Sequence, residues 1–131
     1  MGAAENKELV RNMFTELSKG NVQDFLDKLA DDVRWTLTGS TKYSGTCNGK
    51  QEVISKILEP LSALLEGAIV VTVQNLIAEG DYVVMQARGK AKTKAGGNYD
   101  NTYCHVFRLA NGKVQEVTEY FDTELITKVL G

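Results

Sequence analysis

The chain is predicted to be an α+β domain in which a curved antiparallel sheet wraps N-terminal helices and encloses a pocket. Three observations predict it. Helical periodicity fills the first half and strand alternation the second. The late strands also carry polar residues on a face that should be apolar: Gln86 and Arg88, then Asn101, Tyr103 and His105, then Glu119. An unpartnered buried polar group costs about 1–3 kcal/mol. A fold sustains that cost mainly where it encloses a cavity, so this cluster is the candidate site.

Each element has its own signal. Val10, Met13, Phe14 and Leu17 keep the i, i+3, i+4, i+7 spacing of a helix with one buried face, and Gly20 ends it. Asn21 suits the N-cap of a second helix carrying Phe25, Leu26 and Leu29 inward. After Asp31-Asp32 the period drops to two, with Val33, Trp35 and Leu37 inward on a half-buried strand. Residues 39–48 are rich in Gly, Ser and Thr and read as a loop. A third helix follows on the stripe Val53, Ile54, Ile57, Leu58, Leu61, Leu64 and Leu65, with Pro60 expected to kink or break it near Glu59. Strands are predicted over 68–78, 82–94, 98–109 and 113–121, separated by Glu79-Gly80, Ala95-Gly96 and Asn111-Gly112. Connections this short make antiparallel hairpins, and long twisted strands curl around the helices. A final helical segment, Thr123 to Leu130, offers Ile126, Val129 and Leu130 as a cover.

Composition narrows the function classes. A chain of 131 residues, 43% hydrophobic, is one domain spanning 1–131 with enough mass for a real core. Charges nearly balance, 15 Lys+Arg against 17 Asp+Glu, so no nucleic-acid footprint is present. The stretch Met1 to Lys7 lacks an apolar leader, and no run approaches the ~20 residues that span a bilayer, so no membrane partner is expected. Cys47 and Cys104 form no CxxC pair and read as free thiols of a reducing compartment, the cytoplasm being the default address. His105 is the only histidine, which excludes a His-based metal cluster. No Gly-rich loop has phosphate-binding spacing, so no cofactor is expected.

Turn lengths set the expected register. A two-residue Ala95-Gly96 loop places Arg88 opposite Tyr103, Lys90 opposite Asn101 and Gln86 opposite His105. A two-residue Asn111-Gly112 loop puts Glu119 opposite Cys104, whereas a three-residue loop from Ala110 puts it opposite Tyr103. The second is preferred because it supplies a cation to the carboxylate, and a one-residue slip flips the strand. Arg88, Tyr103 and Glu119 then form one row. Glu119 is the first candidate for acid–base work, with an ordering Arg88–Glu119 pair as the alternative. Arg88 could anchor a ligand carboxylate or enolate, and Tyr103 could donate to a developing oxyanion or simply wall the pocket. Lys90, Lys92 and Lys94 read as a solvated hairpin tip. His105 reads as a core or pocket-edge residue, Asp122 as the N-cap of the last helix, and Trp35 as core with an indole N–H that needs a partner.

The chain resembles the nuclear transport factor 2-like superfamily, particularly its SnoaL-like and ketosteroid-isomerase-related branch. The marks are Val33-Arg34-Trp35-Thr36-Leu37 after an acidic pair, and the helix start Gly49-Lys50-Gln51-Glu52-Val53. Further along come Val106-Phe107-Arg108-Leu109-Ala110-Asn111-Gly112-Lys113-Val114 and then Glu119-Tyr120-Phe121-Asp122. The resemblance implies a cone-shaped fold with a pocket open at one end, usually dimerised through the outer sheet face. It is also similar to the limonene-epoxide-hydrolase branch. There it implies catalytic positions at Gln86, Arg88 and Glu119, pocket walls at Asn101, Tyr103, Phe121 and Ile126, and a water-holding aromatic position at Trp35. Where that branch has two carboxylates flanking an Arg, this chain has one.

Together these readings predict a cofactor-independent acid/base enzyme, isomerase-, cyclase- or hydratase-like, acting on a small, mostly apolar ligand with one polar or anionic group. Glu119, Arg88 and Tyr103 are its expected catalytic residues. Trp35, Leu37, Gln86, Asn101, His105, Phe121 and Ile126 are the expected ligand contacts. The alternative is a non-catalytic ligand-binding or dimerisation domain of the same fold. A homodimer is expected through Val70, Thr102, Val106, Thr118 and Tyr120 on the outer face.

Overall fold

The structure, a computed structural model, describes residues 2–131; Met1, where the stretch Met1 to Lys7 begins, lies outside the described residues. Helices α1 (Ala3–Ser18) and α2 (Val22–Asp27) precede strands β1 (Leu29–Leu37) and β2 (Gly45–Asn48). A third helical stretch runs as α3 (Lys50–Val53), a π-helical segment (Ile54–Leu58) and α4 (Glu59–Leu64). Then come β3 (Leu65–Glu79), β4 (Tyr82–Thr93), β5 (Asn101–Ala110), β6 (Lys113–Phe121) and α5 (Thr123–Leu130). The six strands form one open sheet in the order β2-β1-β6-β5-β4-β3. All pairings are antiparallel except β1 with β6, which is parallel.

The α+β architecture matches the expectation, with local differences that have physical causes. Residues 45–48, expected within a loop, form an edge strand because Thr36 and Thr46 pair across it, their hydroxyls 2.9 Å apart. Pro60 does not break the third helix. Its ring crowds the carbonyl four residues back and it offers no N–H, and the π turn just before it widens the helix to absorb both effects. Asn21 occupies the N-cap of α2, but its side chain turns back to donate to Glu16 Oε2 at 2.6 Å. Asp122 does cap α5, accepting from the Leu125 N–H at 3.1 Å.

Both late turns differ from expectation, and they decide the site. Between β4 and β5 the loop holds three residues, Lys94-Ala95-Gly96, because Gly96 adopts φ +96° and Thr93 accepts the Gly97 N–H on its Oγ1 at 2.8 Å. This shifts the pairing by one: Ala87 faces Tyr103 and Arg88 faces Thr102. Between β5 and β6 the turn holds two residues, Asn111 (φ 54°) and Gly112 (φ 73°), the paired left-handed geometry that matches strand twist. Gln115 then bulges out of the ladder, since Leu109 pairs with Val114 and Arg108 with Glu116. The bulge returns Glu119 to the inner face, opposite His105.

The inner face packs against the helices. Val10, Met13 and Phe14 of α1 and Phe25 of α2 are buried with Val33, Val83, Met85 and Phe107. A second cluster joins Leu65, Ala91 and Tyr99 to Ile126 and Leu130 of α5. Between the two clusters the packing opens.

Candidate functional site

The opening is a cavity of about 460 Å³ walled by the inner sheet face, the third helical stretch and α5. Its size is that of a site for a small organic ligand, roughly 300–1,000 Å³. Ile54, Ile57, Leu58 and Leu61 line it from the third helical stretch, and Leu37, Phe121 and Ile126 from β1, β6 and α5. Trp35, Tyr99, Tyr103, His105 and Glu119 bring polar atoms from the sheet side, and Tyr43, Lys56, Glu59 and Ser62 add others.

Glu119 is the focus of the first polar group. Two N–H donors converge on one of its oxygens. Trp35 Nε1 donates to Oε1 at 3.0 Å, and His105 Nε2 lies 3.2 Å from the same atom. Its backbone is held as well, the carbonyl accepting from both N and Oγ1 of Thr38. Oε2 makes no hydrogen bond among the described residues and remains available to a ligand. The side chain is 14% exposed, against 5% for His105. His105 is gripped by aromatic rings: it stacks on Phe107 at 5.6 Å and 8° and meets the edges of Phe14 and Trp35. Its Nδ1 is buried without a hydrogen-bond partner among the described residues. Such an arrangement suits the tautomer with the proton on Nε2, directed at Glu119.

The second polar group is phenolic. The Tyr103 ring lies over Gly89, where an added Cβ would approach within 2.8 Å of Tyr103 Cε2, so only glycine leaves room for it. Burial, followed by the neighbouring Tyr99 and Glu119, pushes the Tyr103 hydroxyl far above its ordinary range, and burial raises Tyr99 as well. Both phenols therefore stay protonated and able to donate.

The placement of the expected residues is mixed. Glu119, Tyr103, Trp35, Leu37, His105, Phe121 and Ile126 border one cavity. Arg88 and Gln86 do not. Both are exposed on the outer face, where Gln86 accepts from Asn75 at 3.2 Å, and the three-residue turn is the reason. The expected Arg88–Tyr103–Glu119 row therefore does not form, and the partner of Glu119 is His105. Lys90, Lys92 and Lys94 are exposed, as expected of a hairpin tip. Asn101 is buried but braces the wall from behind. Its Oδ1 accepts from Thr102 N and Asp122 N, and its Nδ2 donates to Tyr99 Oη and Asp122 O. Tyr99 is an additional lining residue, and Tyr43, for which the sequence leaves an inward and an exposed position open, lines the cavity too. Tyr99 shares parity with Asn101 and Tyr103, which is the signal that could have found it. Tyr43 sits in a loop with no periodicity, and its hydroxyl donates to the Leu130 carbonyl at 3.1 Å.

Comparison with known proteins places this geometry in context. A family model described as a SnoaL-like domain matches residues 10–117. A crystal structure of an NTF2-like protein of unknown function from Burkholderia pseudomallei is similar with a TM-score of 0.85 and 25% identity, covering 100% of both chains. TerC co-crystallised with polyporic acid is similar at 0.83 and 20%, over 96% of this chain and 98% of that one. An LEH-like epoxide hydrolase from Mycobacterium tuberculosis is similar at 0.78 and 17%, over 98% and 91%.

Proposed function

Because the chain belongs to the SnoaL-like domain family, whose fold hosts several chemistries, we propose that it is a cofactor-independent acid/base enzyme acting in this cavity on a small, mostly apolar carbonyl compound. The observation that carries the reading is Glu119: a carboxylate that borders an apolar cavity, with one oxygen held by the Trp35 N–H and 3.2 Å from His105 Nε2 and the other without a hydrogen bond among the described residues. In the proposed reaction Oε2 takes a proton from the carbon next to a carbonyl. The C–H electron pair becomes the enolate, whose oxygen charge is accepted by a phenol O–H. The resulting carboxylic acid then returns the proton to a different carbon of the conjugated enolate, giving isomerisation; or the enolate carbon attacks an internal carbonyl, whose π pair moves to its oxygen and takes the proton back from the carboxylic acid, giving cyclisation. Trp35 and His105 hold the carboxylate in place, and Tyr103 is the donor to the oxyanion. A hydrolase route of the epoxide type is less well supported, since Arg88 lies outside the cavity.

The TerC structure, co-crystallised with a small molecule, supports a ligand-holding role for the same fold. A homodimer through the outer sheet face is part of the proposal, supported by the apolar and β-branched character of that face.

β-Tetralone, a neutral carbon acid of suitable size, tests the reading. Wild-type protein is expected to accelerate exchange of its α-protons with D₂O, followed by NMR. Glu119→Gln keeps both N–H contacts to Oε1 and is expected to reduce the rate by about 10²-fold or more. Binding without any exchange would instead favour the non-catalytic ligand-binding domain.

A further inference from the structure

Asn101 has only one orientation. Two backbone N–H groups, Thr102 at 2.8 Å and Asp122 at 3.0 Å, point at Oδ1, so that atom must be the amide oxygen. Nδ2 is then a donor, and it faces Tyr99 Oη at 2.9 Å. A phenol has one proton to give. Since Tyr99 accepts from Asn101, its own O–H points away from the amide, toward the cavity or the adjacent Tyr103 hydroxyl. In the second case Tyr103 passes its proton onward, and the cavity again meets an O–H.

We infer that Asn101, as a positioning residue, keeps a phenol O–H of the Tyr99–Tyr103 pair directed into the cavity, and that this donor selects uncharged ligands bearing an acceptor oxygen. The inference rests on the proposed ligand cavity but not on turnover. Both phenols keep their protons, because burial raises them. Among the described residues the only Lys or Arg bordering the cavity is Lys56, whose Nζ lies 3.3 Å from Glu52 Oε1, and Glu119 adds a carboxylate. An anionic ligand thus finds repulsion without an unengaged cation. This replaces the anion anchor expected from Arg88. An apolar isostere leaves the phenol O–H unpaired, and a site built to donate discriminates strongly against such an analogue.

The test compares β-tetralone, its exocyclic-methylene analogue and the corresponding tetralin carboxylate, with affinity read by calorimetry and the bound ketone read by infrared spectroscopy. Wild type is expected to prefer the ketone over both analogues by about tenfold, the worth of one good hydrogen bond. The bound carbonyl band is expected below its position in hexane. Tyr99→Phe/Tyr103→Phe is expected to abolish the preference over the methylene analogue and return the band to the hexane value. Asn101→Leu is expected to weaken both signals with the phenols still present. Glu119→Gln separates the two proposals: it is expected to retain the ketone preference and band shift even where exchange is lost. No ketone preference in wild type, no binding of β-tetralone, or an unshifted band overturns the inference. So does a double phenylalanine variant that keeps both signals.

Discussion

At Tyr99 and Tyr103 the chain holds two protonated phenols where burial penalises the phenolate. The folded state therefore retains protons that the unfolded chain releases near pH 10. Stability conferred by these groups is full below that pH and falls as pH rises through and beyond it. Denaturant unfolding measured on either side of pH 10 is expected to show this loss, and Tyr99→Phe/Tyr103→Phe is expected to flatten it. An unchanged slope in that variant would place the alkaline sensitivity elsewhere. Arg88 makes the opposite case. On the outer face it has no tie to the cavity, so Arg88→Ala is expected to change stability by no more than about 0.5 kcal/mol and to leave β-tetralone affinity unaltered. A large loss of ligand affinity in Arg88→Ala would refute the cavity as drawn. The polar residues of β5 and β6 were legible as inward-facing because they alternate with outward ones. The identity of Glu119's partner was not, since Arg88 was the expected neighbour and His105 was read as a core or pocket-edge residue until the strands were aligned.

Individual elements contribute through their ends. Asn111-Gly112 closes the β5–β6 hairpin with both residues at positive φ, a geometry that asparagine and glycine tolerate and most residues do not. Asn111→Ala is expected to cost about 1 kcal/mol by that strain, read as a lower denaturation midpoint with the slope unchanged. Gln115 then supplies the extra residue that returns Glu119 to the cavity. Helix assignments were readable because three-and-four spacing survives in any context, although Leu29 and Leu65, expected on helices, open β1 and β3. The edge strand at Gly45–Asn48 was not, because a four-residue strand of small polar residues has no pattern of its own and exists only by pairing with β1. The π segment before Pro60 belongs to the same class. The proline announced a disturbance, and the packing of Ile54, Ile57 and Leu58 against the cavity selected a widened turn over a break.

For the whole molecule, the outer sheet face is the large feature that the helices leave uncovered. One row crosses all six strands: Ile77, Val84, Val106, Thr118, Thr36 and Thr46. Val70 and Tyr120, on the same face, are 52% and 51% exposed. A charge placed centrally in that row is costly to bury between two copies. Under the proposed homodimer, sedimentation at micromolar concentration is expected to give a dimer for wild type and a monomer for Val106→Lys. A wild-type monomer would remove the dimer from the proposal. No helix among the described residues is long and apolar enough to cross a membrane.

By itself the sequence determined the helical segments and five of the six strands, because hydrophobic period is a local property. It likewise determined which side chains share a face within β1, within β5 and within β6 beyond its bulge, as the period of two carries parity along an unbroken strand. Only the tertiary structure decided which strand faces meet. One residue more in the β4–β5 turn and one bulge in β6 exchanged Arg88 for His105 beside the carboxylate. Such single-residue choices depend on hydrogen bonds closed around Thr93 and Gln115, and no periodicity in the chain encodes them.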